Sequence, residues 1–199
     1  MIRSTEFACI DLLPGSRHAA EANVPAPHKA PYEDQVRLRD FLAGLSDYDL
    51  ILIDNPPNLH LCSWAAMAAS DRIIVPVQPE DFGAQGSLDV LESAEGVRAV
   101  INPALAPAWF LVSMYQARRS VHQVFVEHLR ETHRADVFNA MIPEAVDFIE
   151  AVTARKPVAM HKPRGAAAKA VKAVAEELLA RLAVPAYGRS ITTETGEAA

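Results

Sequence analysis

The chain has 199 residues and 21.6 kDa, with a formal net charge of -6 and a pI near 5.6. Half of it is hydrophobic, 22% is charged and the mean hydropathy is +0.05. These values exclude a disordered chain and a protein coated throughout by nucleic acid, though they leave room for a local basic patch. The length suits one well-buried α/β domain, expected over residues 1–184 with a flexible tail over 185–199. Cys9 and Cys62 lie far apart and make no C-x-x-C pair, so they read as buried structural thiols of a reducing compartment. The seven histidines show no zinc spacing. Glu6 and Asp11 fall where a signal peptide needs its apolar core, and no apolar run approaches membrane-spanning length, so the expected location is the cytoplasm.

In chain order, Phe7 to Leu13, closed by Pro14-Gly15, reads as a strand and turn. A polar connection runs to Pro31, and Val36, Leu38, Phe41, Leu42 and Leu45 then supply the apolar stripe of a helix from Tyr32 to Leu45. Asp49-Leu50-Ile51-Leu52-Ile53-Asp54-Asn55-Pro56-Pro57 follows. Its four consecutive large apolar residues predict a strand buried on both faces, stopped by two prolines. Ser63 is the expected N-cap of a short helix over Trp64 to Ala69. Arg72 to Val77 predicts another strand, Gln85 to Val100 a helix, Trp109 to Met114 a fourth strand and Val137 to Ile142 a fifth. A helix on Val121, Val124, Phe125 and Leu129 lies between the last two, and Ala166 to Leu182 closes the series. Strands alternating with helices of these lengths predict right-handed βαβ units and a mainly parallel sheet with flanking helices.

Asp54 ends its strand at the edge where an open α/β sheet places its ligand crevice. A carboxylate there holds Mg²⁺ or orients water beside a phosphate. In many parallel strands the same acid only caps the next helix, and both readings stand.

Tyr48 to Leu59 resembles the Walker B region of the ParA-type partition ATPases, the deviant Walker A group that includes MinD. The similarity continues through Ala69-Ser70-Asp71-Arg72-Ile73-Ile74-Val75-Pro76-Val77-Gln78-Pro79-Glu80 and Met114-Tyr115-Gln116-Ala117-Arg118-Arg119. It ends with Ile142-Pro143, Lys156-Pro157-Val158 and the last helix. The resemblance implies a P-loop NTPase-like fold and a cytoplasmic, ATP- and Mg-binding protein that segregates plasmid or chromosomal DNA. Such a protein dimerises with itself or with a full-length ParA-like chain, binds DNA without sequence preference and answers to a ParB-like centromere-binding protein. No membrane partner is implied. By matching position, Asp54 becomes the Walker B carboxylate acting on Mg²⁺ directly or through water, and Met114 and Pro143 lie near the adenine. Arg118 and Arg119 become candidates for a DNA-facing or dimer-facing surface, with a solvated helix start as the other reading. Arg155, Lys156, Lys162, Arg164, Lys169 and Lys172 form a basic cluster able to hold phosphates; for the last two, solvation of an Ala-rich helix explains the charge equally well.

One departure is decisive. A P-loop requires G-x-x-x-x-G-K-[ST], and no Gly-Lys dipeptide occurs in the 199 residues. The sequence therefore reads as the C-terminal portion of such a chain, missing its first βαβ segment. It is expected to be inactive in hydrolysis alone and to hold no nucleotide tightly. The Asp54 strand is expected either to pair with the Ile73 to Val77 strand or to expose an edge that a second molecule covers; a strand open on both edges contradicts this. Glu144 and Asp147 follow Ile142-Pro143 where relatives carry arginines, which disfavours DNA at that edge. Two other functions remain open, a non-catalytic module that joins and modulates a full-length partner, and a flavodoxin-like domain binding a different cofactor at the Pro14-Gly15-Ser16 turn.

Overall fold

The computed structural model describes residues 2–183, so the expected tail over 185–199 lies outside the described residues. The chain divides into two compact units, Met1–Val75 with Asp81–Trp109, and Pro76–Glu80 with Phe110–Ala199. Two strands, β3 (Ile74–Val77) and β4 (Trp109–Val112), have their first residues in one unit and their last in the other.

The first unit opens with a two-residue hairpin, β1 (Arg3–Ser4) against β2 (Asp11–Leu12), in the register Arg3 to Leu12. The strand expected over Phe7 to Leu13 is therefore an exposed antiparallel ribbon and not a member of a parallel sheet, so Cys9 within it is exposed and not buried as expected, and Cys62 is only half-buried. Ser16 caps α1 (Arg17–Ala22) by accepting from Ala19 N, a helix that the polar connection concealed. Helices α2 (Tyr32–Leu42), α3 (Leu61–Ala68) and α4 (Asp81–Val100) build the core. Val36, Met67, Ala68, Ala94, Val97, Ile101 and Leu105 pack together, with Trp64 and Ile73 against them. Trp64 Nε1 donates to the buried Gln35 Oε1 at 2.9 Å. A Cβ on Gly96 would stand 3.2 Å from the Trp64 ring, so the glycine is what lets α4 approach that indole. Ser63 is not an N-cap. His60 occupies that position, and Ser63 lies buried in the helix with its hydroxyl donating to Asn58 O at 2.6 Å.

Residues 49–54 correct the central strand expectation. They lie outside any strand, and none of their backbone groups bonds to a described backbone. Leu50, Ile51 and Leu52 are 40%, 40% and 73% exposed, so the segment neither pairs with β3 nor is buried on both faces. Register supplies a physical reason. Trp109 N donates to Ile73 O and Ser113 N to Val77 O, so the odd residues of β3 face β4. Pro76 then lies on the other edge, where it has no N–H to give a further strand.

The same two bonds rise together along both strands, which makes β3 and β4 parallel. In the second unit β4 has a parallel neighbour in residues 137–143, bridged at Phe110 to Val137 and Tyr115 to Pro143. The expected fifth strand is present as this broken ladder, not as a continuous strand. Helices α5 (Ser120–His133), α6 (Val146–Thr153), α7 (Val158–His161) and α8 (Ala166–Arg181) complete the unit. On α5 the expected face is rotated, since Val121 and Val124 are exposed while His122 and Val126 are buried. The α6–α7 pair, absent from the sequence reading, packs Ala151 and Val158 against Ala167 of α8.

Candidate functional site

Four structures meet at the end of β4 in the second unit: the strand end, the 137–143 segment, the start of α5 and the start of α6. Tyr115 N donates to Ile142 O at 3.0 Å and Glu144 N to Tyr115 O at 3.2 Å, which sets Met114 and Pro143 on adjacent strand ends. Met114 has φ 57, the left-handed region that a side chain resists, and its side chain stands 45% exposed. The chain turns there, and Gln116 comes back over the first turn of α5. Its backbone N donates to His122 Nδ1 at 3.1 Å, and its side-chain amide donates to Glu144 Oε2. His122 is only 2% exposed, and its Nε2 has no hydrogen-bond partner among the described residues. Because Nδ1 accepts, the ring proton sits on Nε2. His122 thereby fixes the turn after Met114, a role that sequence reasoning missed; a histidine in the first turn of a helix gives no sign that a loop will fold back onto it.

The expected basic residues separate into two kinds. Arg118, Arg119, Arg155, Lys156 and Arg164 are exposed and make no ion pair among the described residues. Arg119 is the N-cap position of α5, and Arg155 lies beyond the C-terminus of α6. Lys162 differs. Its Nζ bonds Asp147 Oδ1 at 2.8 Å and lies 2.6 Å from Glu150 Oε2, two acceptors that hold the ammonium well above the ordinary lysine range. Lys162 in turn pulls the Glu150 carboxyl below its ordinary value. The two acids near Ile142-Pro143 are thus partly absorbed, Asp147 by Lys162 and Glu144 by Gln116.

Asp54 belongs to the first unit, in the exposed stretch before Pro56-Pro57. No described residue hydrogen-bonds its carboxylate, and among the described residues no group of three or more His, Cys, Asp or Glu is gathered to hold a metal ion. Mg²⁺ demands an octahedron of oxygens, usually including substrate phosphates. One untethered carboxylate does not fit a Mg-nucleotide by itself, and the chain has no Gly-Lys cradle to present the phosphates.

Parallel strands flanked by helices, with side chains gathered at a strand's carboxyl end, define the class of α/β proteins that bind ligands at that edge. A family profile described as an AAA domain matches residues 1–106. The chain is 38% identical over 135 residues to the chromosome-partitioning ATPase Soj of Thermus thermophilus, covering 68% of this chain and 54% of Soj. Among solved structures, apo McdA from Cyanthece superposes with a TM-score of 0.74 at 17% identity, over 89% of this chain and 71% of McdA. The septum site-determining protein MinD of Pyrococcus horikoshii, solved with Mg-ADP, superposes with a TM-score of 0.60 at 26% identity, over 94% of this chain and 70% of MinD. The chain belongs to the ParA/MinD-type partition ATPase family. It spans about half the length of Soj.

Proposed function

We propose that this chain is a ParA-like partition protein segment that acts, in a full-length context, in ATP-dependent segregation of plasmid or chromosomal DNA. The observation that carries the reading is the adjacency of Met114 and Pro143 through the Tyr115–Pro143 bridge, at the end of the sheet where this class binds ligands. Met114 and Pro143 would face the adenine, and Asp54 would hold Mg²⁺, directly or through water, only with phosphate-gripping groups supplied by other residues. When bound, Mg-ATP supplies the phosphoryl group and the charge on which dimerisation turns. What this chain supplies is the adenine edge, one acid and a basic surface. The dimer partner is a second copy or a full-length ParA-like chain, a ParB-like centromere-binding protein stimulates the complex, and the setting is the cytoplasm. Among the described residues no helix is long and apolar enough to cross a membrane.

DNA is held without sequence preference by the exposed cations Arg118, Arg119, Arg155, Lys156 and Arg164, whereas Lys162 contributes little because two carboxylates already face it. Binding of duplex DNA measured by fluorescence anisotropy across a salt series tests this. Each phosphate contact contributes about 0.9 to the slope of log K against log salt, so Arg118→Ala with Arg119→Ala should flatten the slope by roughly 1.8. Lys162→Ala should leave it unchanged. An unchanged slope in the arginine double variant assigns those residues to solvation alone.

A further inference from the structure

The turn after β4 carries two unfavourable features. Met114 holds φ 57, a left-handed value that glycine would adopt freely, and His122 buries an Nε2–H with no partner among the described residues, which an apolar side chain there would avoid. Strain of this kind persists only where surrounding contacts over-determine it, and it clusters at ligand sites. Here the contacts converge on Gln116. Its backbone N–H donates to His122 Nδ1 at 3.1 Å, and its side-chain amide donates to Glu144. Between these two ties, Tyr115 N donates to Ile142 O and Glu144 N to Tyr115 O, while the Tyr115 ring tilts against the imidazole with centroids 6.1 Å apart. Gln116 is thus fastened on one side to the first turn of α5 and on the other to the residue after Pro143, which makes the two strand ends one piece.

We infer that His122 and Gln116 are positioning residues that hold the Met114 and Pro143 strand ends as a preformed base-binding edge, shaped before any ligand arrives and independent of phosphate. The inference rests on the reading that this edge faces the adenine. Chemistry suits His122 to the task, because a neutral imidazole offers one acceptor, and Nδ1 lies close enough to its own backbone to reach a chain that folds back over the helix start. Asn carries an acceptor oxygen at nearly the same place, whereas Leu fills the space and accepts nothing. An edge that needs no ordering on binding loses less entropy, so a purine nucleoside without phosphates should still bind it weakly.

Amide hydrogen exchange of the full chain, read by NMR, and a titration with adenosine test the two parts. In His122→Leu, exchange at Tyr115, Gln116 and Glu144 should rise about tenfold, while Phe138 and Ile142, which donate to Phe110 O and Val112 O further down the same ladder, keep their protection. His122→Asn should restore the parent rates. A histidine that only fills space would move all of these amides together or none of them, and Asn would not rescue it. Gln116→Ala, which cuts an exposed bond and leaves the core intact, should raise exchange at Glu144 while the backbone amide at position 116 stays protected. Adenosine should bind the parent and His122→Asn in the millimolar range and His122→Leu about fivefold more weakly. Unchanged exchange at Glu144 in both His122→Leu and Gln116→Ala, a uniform rise along the ladder, no rescue by Asn, or equal adenosine affinity in the parent and His122→Leu overturns the inference. If the exchange pattern is as expected and adenosine does not bind the parent, the adenine reading fails while His122 and Gln116 stand as the residues that fix the edge.

Discussion

Arg155 shows how one residue's conformation sets two properties. The end of α6 is a Schellman turn, with Lys156 N donating to Ala151 O at 3.0 Å and Arg155 N to Val152 O at 3.0 Å. That turn needs a left-handed residue where glycine is favoured, and Arg155 holds φ 51 there instead. Arg155→Gly should therefore raise stability by about 1 kcal/mol, read as a higher urea midpoint. The same change should weaken DNA binding if Arg155 is a phosphate contact. A lowered midpoint would mean that the arginine side chain packs usefully. This helix end was invisible in the sequence because its usual glycine signal is absent. The same holds for Met114, at φ 57 without being glycine, and for His122, whose fully buried ring breaks the rule that polar residues mark the outer face of a helix. Met114 and Pro143, by contrast, are marked only by the resemblance to ParA-type chains and not by any local pattern; the Tyr115–Pro143 bridge sets them on adjacent strand ends.

The broken 137–143 segment is held by α8 where a neighbouring strand would otherwise stand. Glu177 accepts from Asn139 N at 2.9 Å and Ala140 N at 2.8 Å. Arg181 donates to Ala135 O and Val137 O, each at 2.7 Å, stacks on Phe138 at 4.5 Å and pairs with Glu177. Burial would raise the Glu177 carboxyl, but the two backbone N–H groups and the guanidinium outweigh it and hold the pKa below the ordinary glutamate value. A folded value below the unfolded one gives a contribution that is complete above the unfolded pKa of about 4.3 and is lost as pH falls through the folded value. Glu177→Gln should accordingly cost about 1–2 kcal/mol at pH 7, and the difference from the parent chain should shrink in urea titrations as pH falls below about 4. A cost that stays constant to pH 3 would show that the ionised carboxylate is not what holds the segment.

At the level of elements, α2, α4, α8, β3 and β4 were legible from hydrophobic period and length, because each is long or flanked by proline. The α6–α7 pair was not, since its exposed Val146, Ile149 and Val152 offer no inward stripe to read. Residues 49–54 failed for the opposite reason. Their local pattern is that of a strand, but a strand exists only with a partner, and the outer edge of β3 carries Pro76.

Over the whole molecule, family membership and chemical competence separate. The chain has the α/β fold and the sequence order of a ParA/MinD-type protein, and its cations and strand ends are those from which a partition function is proposed. Its own groups stop short of a phosphate grip. No Gly-Lys is present, and among the described residues no group hydrogen-bonds the Asp54 carboxylate and no backbone ladder fixes the segment that leads to it. The charge-stabilising donors on which phosphoryl transfer depends must then be supplied by residues other than these. Isothermal titration of the 199-residue chain with a non-hydrolysable ATP analogue and Mg²⁺ tests this most directly. The account predicts no binding in the micromolar range, and micromolar affinity by the unaided chain would contradict it.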